Sequence, residues 1–257
     1  MNYKEINKKA WDKNTKVHIE SEFYDVDGFL AGKSSLNAIE LDQVGDVNGK
    51  TLLHLQCHFG QDTLSWSRLG ANVTGVDLSS ASIEQAKNMA DEIGVKAQFI
   101  CDDVYSFGET NTQQYDVVYT SYGVLCWLPD LDRWAQTIAK SLKVGGQFNI
   151  IEFHSFHDLL SGYSYFSADE PDIEEEGTYT ENCPGEKSKM ITWAHPISAV
   201  IQSLITAGLS ISEFHEYPYS PYNCFPDLEK VDGKGFQLLF KGQQVPILYS
   251  IKAHKLA

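Results

Sequence analysis

Positive charge is scarce in this chain. Twenty Lys and Arg residues stand against thirty-five Asp and Glu, a net charge of −15 over 257 residues, and no Lys/Arg cluster appears anywhere. A protein that grips a nucleic-acid backbone needs a basic footprint, so DNA and RNA are excluded as partners. Cysteine is scarce too. Cys57, Cys101, Cys126, Cys183 and Cys224 are odd in number and widely spaced, with no Cys-x-x-Cys pair. They read as reduced thiols, which fits a cytoplasmic protein and neither a disulfide scaffold nor a zinc knuckle. No run approaches the ~18 apolar residues of a membrane span. The first ten residues, MNYKEINKKA, hold no apolar core of a secretion signal. With 42% hydrophobic and 21% charged residues the composition is that of an ordinary globule.

The middle of the sequence alternates two patterns. Short apolar or β-branched runs at 51–56, 72–77, 96–101, 115–121 and 146–153 have the length of buried strands. Between them lie helical spacings. Ile83, Ala86, Ala90 and Ile93 form one stripe, with Ser79 or Ser80 as N-cap and Gly94 as stop. Leu131, Trp134, Ile138 and Leu142 form another, capped by Asp130 and ended by Gly145. Gln61–Leu69 is a shorter candidate, and a weak pattern marks 106–114. Strand–helix alternation predicts a doubly wound, Rossmann-like α/β fold with a mostly parallel sheet. Residues 196–207 predict a late helix with Pro196 in its first turn. Strands at about 209–217 and 247–255 would complete the sheet as a C-terminal antiparallel pair. The expected organisation is one domain over 1–257. It comprises a helical N-terminal cap (1–48), a cofactor-binding core (49–154), an aromatic and acidic lid or insert (155–192), and the final helix and strands (193–257).

Ligands on such sheets bind beyond the carboxyl ends of the strands. The first run leads into Leu55-Gln56-Cys57-His58-Phe59-Gly60, a strand-to-helix turn that retains a single glycine. Asp77 ends the second run, 21 residues after Gln56. An acid at that distance reads as a ribose-hydroxyl acceptor, with a cap on the following helix as the lesser alternative. In Cys101-Asp102-Asp103-Val104, after the third run, one carboxylate suits an adenine amino group and a backbone N–H a ring nitrogen. A solvated loop acid is the plain alternative.

These segments together resemble the class I S-adenosylmethionine-dependent methyltransferases. The resemblance covers roughly residues 50–155. It rests on His54-Leu55-Gln56-Cys57-His58-Phe59-Gly60, Val73-Thr74-Gly75-Val76-Asp77-Leu78-Ser79, Asp103, Tyr115-Asp116-Val117-Val118 and Leu142-Lys143-Val144-Gly145-Gly146, in order and spacing. The first motif departs from the family's Asp-x-Gly-x-Gly-x-Gly. His54 replaces the acid, and Gln56 and His58 replace two glycines, a sub-pattern similar to a bacterial branch with largely unassigned substrates. The resemblance implies S-adenosyl-L-methionine as cofactor. The turn of Leu55, Gln56, Cys57, His58 and Gly60 would wrap its methionine end. Asp77 would take the ribose hydroxyls, Leu78 would pack on the adenine, and Asp103 and Val104 would read the adenine edge. Ser121 and Tyr122 would lie beside the reacting centre.

Methyl transfer from a sulfonium is an in-line displacement, so alignment is the main demand on the protein. An acceptor bearing a proton also needs a base within reach. The candidates are Tyr122, Glu152, His154 and His195, with His157 a further option; a structural hydrogen bond or a helix cap is the alternative for each. His54 and His58 are four apart but span a strand and a turn, so they do not form a helical metal pair, and no metal is expected. The acidic run 169–176 reads as a solvated face, or as a lid that draws in a cationic substrate. The favoured function is methyl transfer to a small-molecule acceptor, with Tyr3 or Trp11 closing over the cofactor. A sensor that binds S-adenosylmethionine or S-adenosylhomocysteine without chemistry is the alternative. A nicotinamide-dependent oxidoreductase is disfavoured because no Gly-x-Gly-x-x-Gly opens the first helix.

Overall fold

The computed structural model describes residues 2–257. Its centre is a seven-stranded sheet. Five parallel strands come first along the chain: β1 (Thr51–Leu55), β2 (Asn72–Asp77), β3 (Ala97–Cys101), β4 (Tyr115–Ser121) and β5 (Leu142–Phe153). Near the C-terminus follow β8 (Leu209–Tyr217) and β13 (Leu248–Lys255), which run antiparallel to their neighbours. The order across the sheet is β3-β2-β1-β4-β5-β13-β8. The expected doubly wound, mostly parallel sheet with an antiparallel end is therefore the observed one.

Period-two alternation sorts each strand's side chains onto two faces. Leu53 and Leu55 of β1 join a core with Val104, Trp134, Ile138, Phe148 and Val200. Leu52, just before them, joins Val44, Trp66, Val117 and Tyr119 on the opposite face. The helices that cover the first face are α6 (Val104–Thr110), α7 (Leu131–Ser141) and α9 (Ile197–Thr206). On the other side lie α3 (Ala38–Val44), α4 (Gln61–Arg68) and α5 (Ser80–Glu92). Caps set where the crossover helices start. Ser79, Asp103 and Asp130 each accept backbone N–H groups of the turn that follows.

Two boundaries differ from expectation. Strand β5 starts at Leu142 rather than Gly146, because Tyr115 pairs with Leu142 while Val117 pairs with Gln147. The surplus residues on β5 form a bulge, and Gly145, at φ +80°, sits inside it instead of ending α7. Pro196 is the N-cap of α9, one position before the first helical turn.

Ahead of the sheet lie α1 (Tyr3–His18), α2 (Val26–Leu30) and α3. After β5 come α8 (Ser155–Leu160) and a hairpin of β6 (Asp172–Glu176) with β7 (Ser188–Thr192). The acidic run 169–176 thus supplies β6, whose Glu175 and Glu176 are exposed. Between β8 and β13 the chain makes two small hairpins, β9 (Glu229–Val231) with β10 (Gly235–Gln237) and β11 (Leu239–Phe240) with β12 (Gln243–Gln244). The sequence pattern gave no sign of these.

Candidate active site

A cavity of about 560 Å³ opens where β1, β2, β3 and β4 end. That is the size of a small-molecule site, and it lies where the topology of parallel sheets puts one. Its floor is the turn after β1. Gln56 (φ +58°) and His58 (φ +50°) both take the left-handed conformation that glycine adopts without cost. The backbone path of a glycine-rich turn is kept although two glycines are gone. Contacts hold it there: the Gln56 amide Nε2 donates to the Val124 carbonyl at 2.8 Å, and the His58 N–H donates to Asp77 Oδ2 at 2.8 Å. Gln56 Oε1 is left buried with no partner. The remaining glycine, Gly60, has φ +83°, and a Cβ there would lie 2.8 Å from the Phe99 ring and 2.9 Å from Ala86.

Asp77 stands at the tip of β2 on the cavity wall. Its second oxygen accepts the Ser79 N–H at 2.8 Å. The cap and the ligand reading are compatible, because each carboxylate oxygen has a further lone pair. Burial raises its pKa to about 6, against the two N–H donors that stabilise the charge; Asp12 adds to the rise. Asp103 also lines the cavity, but its carboxylate caps α6 through the N–H groups of Tyr105 and Ser106. It also binds Lys4 at 2.9 Å. Burial alone would raise its pKa; Lys4 and Ser106 bring it below the ordinary range. The neighbouring Asp102 faces the same cavity and accepts only the Asp103 N–H. Asp102 is thus the carboxylate with free acceptor sites, and Asp103 holds the frame.

The expected residues divide cleanly. Gln56, Cys57, His58, Gly60, Leu78, Val104, Ser121 and Tyr122 all line the cavity with the aspartates. Leu55 does not: it points into the core and is fully buried. Of the four candidate bases only Tyr122 reaches the cavity. Glu152 is buried with its carboxylate accepting the N–H groups of Gly123, Val124 (2.9 Å), Leu125 (3.1 Å) and Phe153 (2.6 Å). It ties the loop after β4 to β5 and has no access to a substrate. His154 caps α8 through the Phe156 N–H and pairs with Glu216 at 2.8 Å. His195 is bonded to the Leu128 carbonyl at 2.7 Å, and His157 stacks on Phe225. None of these three histidines lines the cavity. His54, in the family's acidic position, bonds Thr63 at 2.9 Å, and burial lowers its pKa to about 3, so it stays neutral.

Helix α1 forms the roof. Asp12 accepts from Ser79 Oγ (2.7 Å) and the Ala81 N–H (3.0 Å) at the start of α5. Trp11 packs edge-on against His58 and Trp127, with ring centroids 5.1 and 5.3 Å away. His18 Nδ1 meets His58 Nε2 at 2.8 Å. Burial lowers the pKa of both imidazoles, His18 to about 4, so both are neutral and one donates to the other. Tyr3 and Lys4 also line the cavity.

Further lining residues escaped the sequence pattern: Asn37, Asp62, Tyr222, Cys224 and Phe225. Asp62 lies in the first turn of α4, and Tyr222 to Phe225 come from the loops after β8. No motif marks them. Only their polarity or aromatic character beside predicted strand ends could have drawn attention.

Comparison with known proteins agrees with this geometry. Residues 52–146 match the family model described as a methyltransferase domain. The ubiquinone biosynthesis O-methyltransferase of Serratia proteamaculans is 31% identical over 132 residues, which is 50% of this chain and 54% of that protein. The chain thus spans about half the length of this curated relative. The enzyme of the same name from Proteus mirabilis is 27% identical over 203 residues, 71% of this chain and 81% of the relative. Among solved structures, a putative S-adenosylmethionine-dependent methyltransferase from Listeria monocytogenes superposes with a TM-score of 0.60 at 18% identity. That match covers 85% of this chain and 97% of the other. Residues 52–146 are thus similar to a methyltransferase domain, and the chain has the fold of the S-adenosylmethionine-dependent methyltransferases. No group of three or more metal-ligating side chains occurs among the described residues, and no helix there is long and apolar enough to cross a membrane.

Proposed function

We propose that this chain is an S-adenosylmethionine-dependent methyltransferase whose acceptor is a small molecule bound in the same cavity. The observation that carries the reading is the convergence, on one cavity, of the turn at 56–60, Asp77, Asp102 and the Ser121–Tyr122 step. The cofactor fits what is there. Asp77 retains lone pairs for a pair of ribose hydroxyls. Asp102 retains them for an amino group beside the first N–H of α6, at Val104. Gln56 Oε1 is a buried acceptor with no protein donor. When bound, the cofactor supplies an electrophilic methyl group on a sulfonium.

The chain's own residues orient and enclose. Trp11, His58 and Trp127 line the cavity as a packed aromatic group, and aromatic rings favour a cationic ligand over its neutral product. Tyr122, at φ +46° just past β4, lines the same cavity. The net charge of −15 and the walled cavity favour a small acceptor over a polyanion. The two curated relatives named above are O-methyltransferases of ubiquinone biosynthesis, which is consistent with an acceptor of this size class.

Titration calorimetry with S-adenosylhomocysteine, followed by transfer of labelled methyl from S-adenosylmethionine to a metabolite extract, tests the reading. Binding with turnover is expected. Stoichiometric binding without turnover would make the protein a sensor. Thermal stabilisation by NAD with none by S-adenosylhomocysteine would overturn the reading altogether.

A further inference from the structure

One wall of the cavity is aromatic and has no part in the cofactor assignment. Phe23, Tyr122, Phe153, Tyr222 and Phe225 all line the cavity. They come from four separate stretches of chain, yet their rings meet in series. Centroids lie 5.5 Å apart for Phe23 and Tyr222, 5.0 Å for Tyr222 and Tyr122, 5.7 Å for Tyr122 and Phe153, and 4.7 Å for Phe153 and Phe225. None of the five is fully buried, whereas Phe148 and Tyr119 in the sheet are. The five rings therefore do not close on themselves as a core. Apolar surface left uncovered in a cavity suits an apolar group from outside. A ring meets that surface best, edge to face or offset-stacked.

A polar feature of the same wall is independent of the rings. Asn37 Nδ2 lies 3.0 Å from the Tyr222 hydroxyl and 3.1 Å from Glu40 Oε1. An amide nitrogen only donates, so the hydroxyl accepts that bond and its own proton is left over. Among the described residues no other hydrogen bond reaches it. Burial, with the nearby Asp62 and Glu40 charges, raises the pKa of Tyr222 well above the ordinary tyrosine range, so the proton stays in place. A donor of this kind is satisfied by an oxygen on the ligand. The lining also restricts charge. Asp62 is part of it and accepts only from the neutral Ser35, Ser121 and Tyr119 hydroxyls. Lys4 and Lys33 are already paired with Asp103 and Asp25 at 2.9 and 2.7 Å. A carboxylated ring would meet an acid and two occupied lysines, with nothing to offset its desolvation.

We infer that this wall holds the methyl acceptor, that the acceptor is an uncharged aromatic molecule carrying an oxygen, and that Tyr222 selects it by donating to that oxygen. The inference rests on the methyltransferase reading above. Tyr222 packs on Phe23 and Tyr122, whereas the turn assigned to the methionine tail packs on Trp11 and Tyr24. The oxygen is therefore the acceptor's and not the cofactor's.

The test uses wild-type protein saturated with S-adenosylhomocysteine at pH 8, above the value of about 7 to which burial raises Glu40, so that its carboxylate fixes the Asn37 amide. Four probes of similar shape are titrated by calorimetry. Acetophenone has the ring and the oxygen. α-Methylstyrene lacks the oxygen, cyclohexyl methyl ketone lacks the aromatic ring, and benzoate adds a charge. Acetophenone should bind tightest, and each of the others about fivefold or more weakly. Tyr222→Phe should bring acetophenone down to the level of α-methylstyrene while leaving α-methylstyrene and S-adenosylhomocysteine unchanged. A merely structural role for Tyr222 would weaken both probes alike. The inference is overturned if any of the other three probes matches acetophenone on wild type, if none of the four binds at millimolar concentration, or if Tyr222→Phe leaves the preference for acetophenone over α-methylstyrene intact. Should the variant fail to fold, the ranking on wild type decides. Failure of wild type to bind S-adenosylhomocysteine would instead sink the methyltransferase reading.

Discussion

Replacing Asp77 by Asn separates two roles that one carboxylate performs. Its pKa rises from an ordinary 3.8 to about 6 because burial disfavours the charge. An acid that holds its proton more tightly when folded contributes stability that is fully present below pH 4 and is lost as pH climbs through about 6. The two values set the loss at no more than about 3 kcal/mol, and water in the cavity trims it. Asp77→Asn removes this titration. It also loses one acceptor, so a constant offset of about 1 kcal/mol for the His58 or Ser79 N–H is expected. The informative quantity is therefore the slope. The stability of wild type minus that of the variant should fall by roughly 2–3 kcal/mol between pH 4 and 6.5, measured by urea unfolding of ligand-free protein. Ligand affinity should move the other way. Ribose hydroxyls donate to the carboxylate, so the variant should bind S-adenosylhomocysteine about ten- to a hundredfold more weakly at pH 7.5. Wild-type affinity should decline as the pH drops below 6, while the variant's stays level. A pH-independent stability difference together with an unchanged dissociation constant would refute the reasoning and leave Asp77 as a helix cap.

Three further outcomes follow from the geometry. Glu152→Gln strips acceptors from the buried N–H groups of the 123–125 loop and should lower unfolding free energy by about 2–4 kcal/mol in a denaturant melt; an unaltered midpoint would contradict its role as an anchor. Gly60→Ala forces a Cβ against Phe99 and Ala86 at a positive φ, and should cost roughly 1–3 kcal/mol, read by the same melt. Deleting residues 2–15 removes Tyr3, Lys4, Trp11 and Asp12 from the roof and should weaken S-adenosylhomocysteine binding at least tenfold by calorimetry. Equal affinity of the shortened chain would reject the roof.

The sheet was legible because its strands are buried on both faces and read as continuous apolar runs, each followed by a capped helix. Ser79, Asp103 and Asp130 announce those helix starts chemically, and the structure uses all three as caps. The strand-end lining of the cavity was legible for a related reason: strand ends fix it, and sequence shows where strands end. Of the base candidates, Glu152 lies off the cavity because period two gives the face of a strand but not what lies opposite. Glu152 does point inward, yet it meets backbone N–H groups of the neighbouring loop before it meets open space. The choice between Asp102 and Asp103 turned on a helix start two residues earlier than the weak pattern at 106–114 suggested. Asp62 and Tyr222 stayed hidden because they reach the cavity through long-range packing of α4 and the loops after β8. No local pattern encodes such an approach.

The first motif shows how a glycine-rich turn can be rebuilt without its glycines. Left-handed backbone at Gln56 and His58 costs of order 1 kcal/mol or more each relative to glycine. The structure offsets this through the side chains that glycine lacks. Gln56 bonds the loop after β4, and His58 bonds His18 at the end of α1. Both links cross the cavity's rim, so the turn and the roof become one hydrogen-bonded unit. A glycine turn would hold its shape whether or not α1 were docked. Here the bond from His18, the packing of Trp11 on His58 and the bond from His58 N–H to Asp77 make the conformation of the turn depend on the helix above it. A ligand that touches the turn and Asp77 is thereby coupled to the docking of α1. Cofactor affinity and the stability of the N-terminal helix should accordingly rise and fall together across variants of His18, Trp11 and His58.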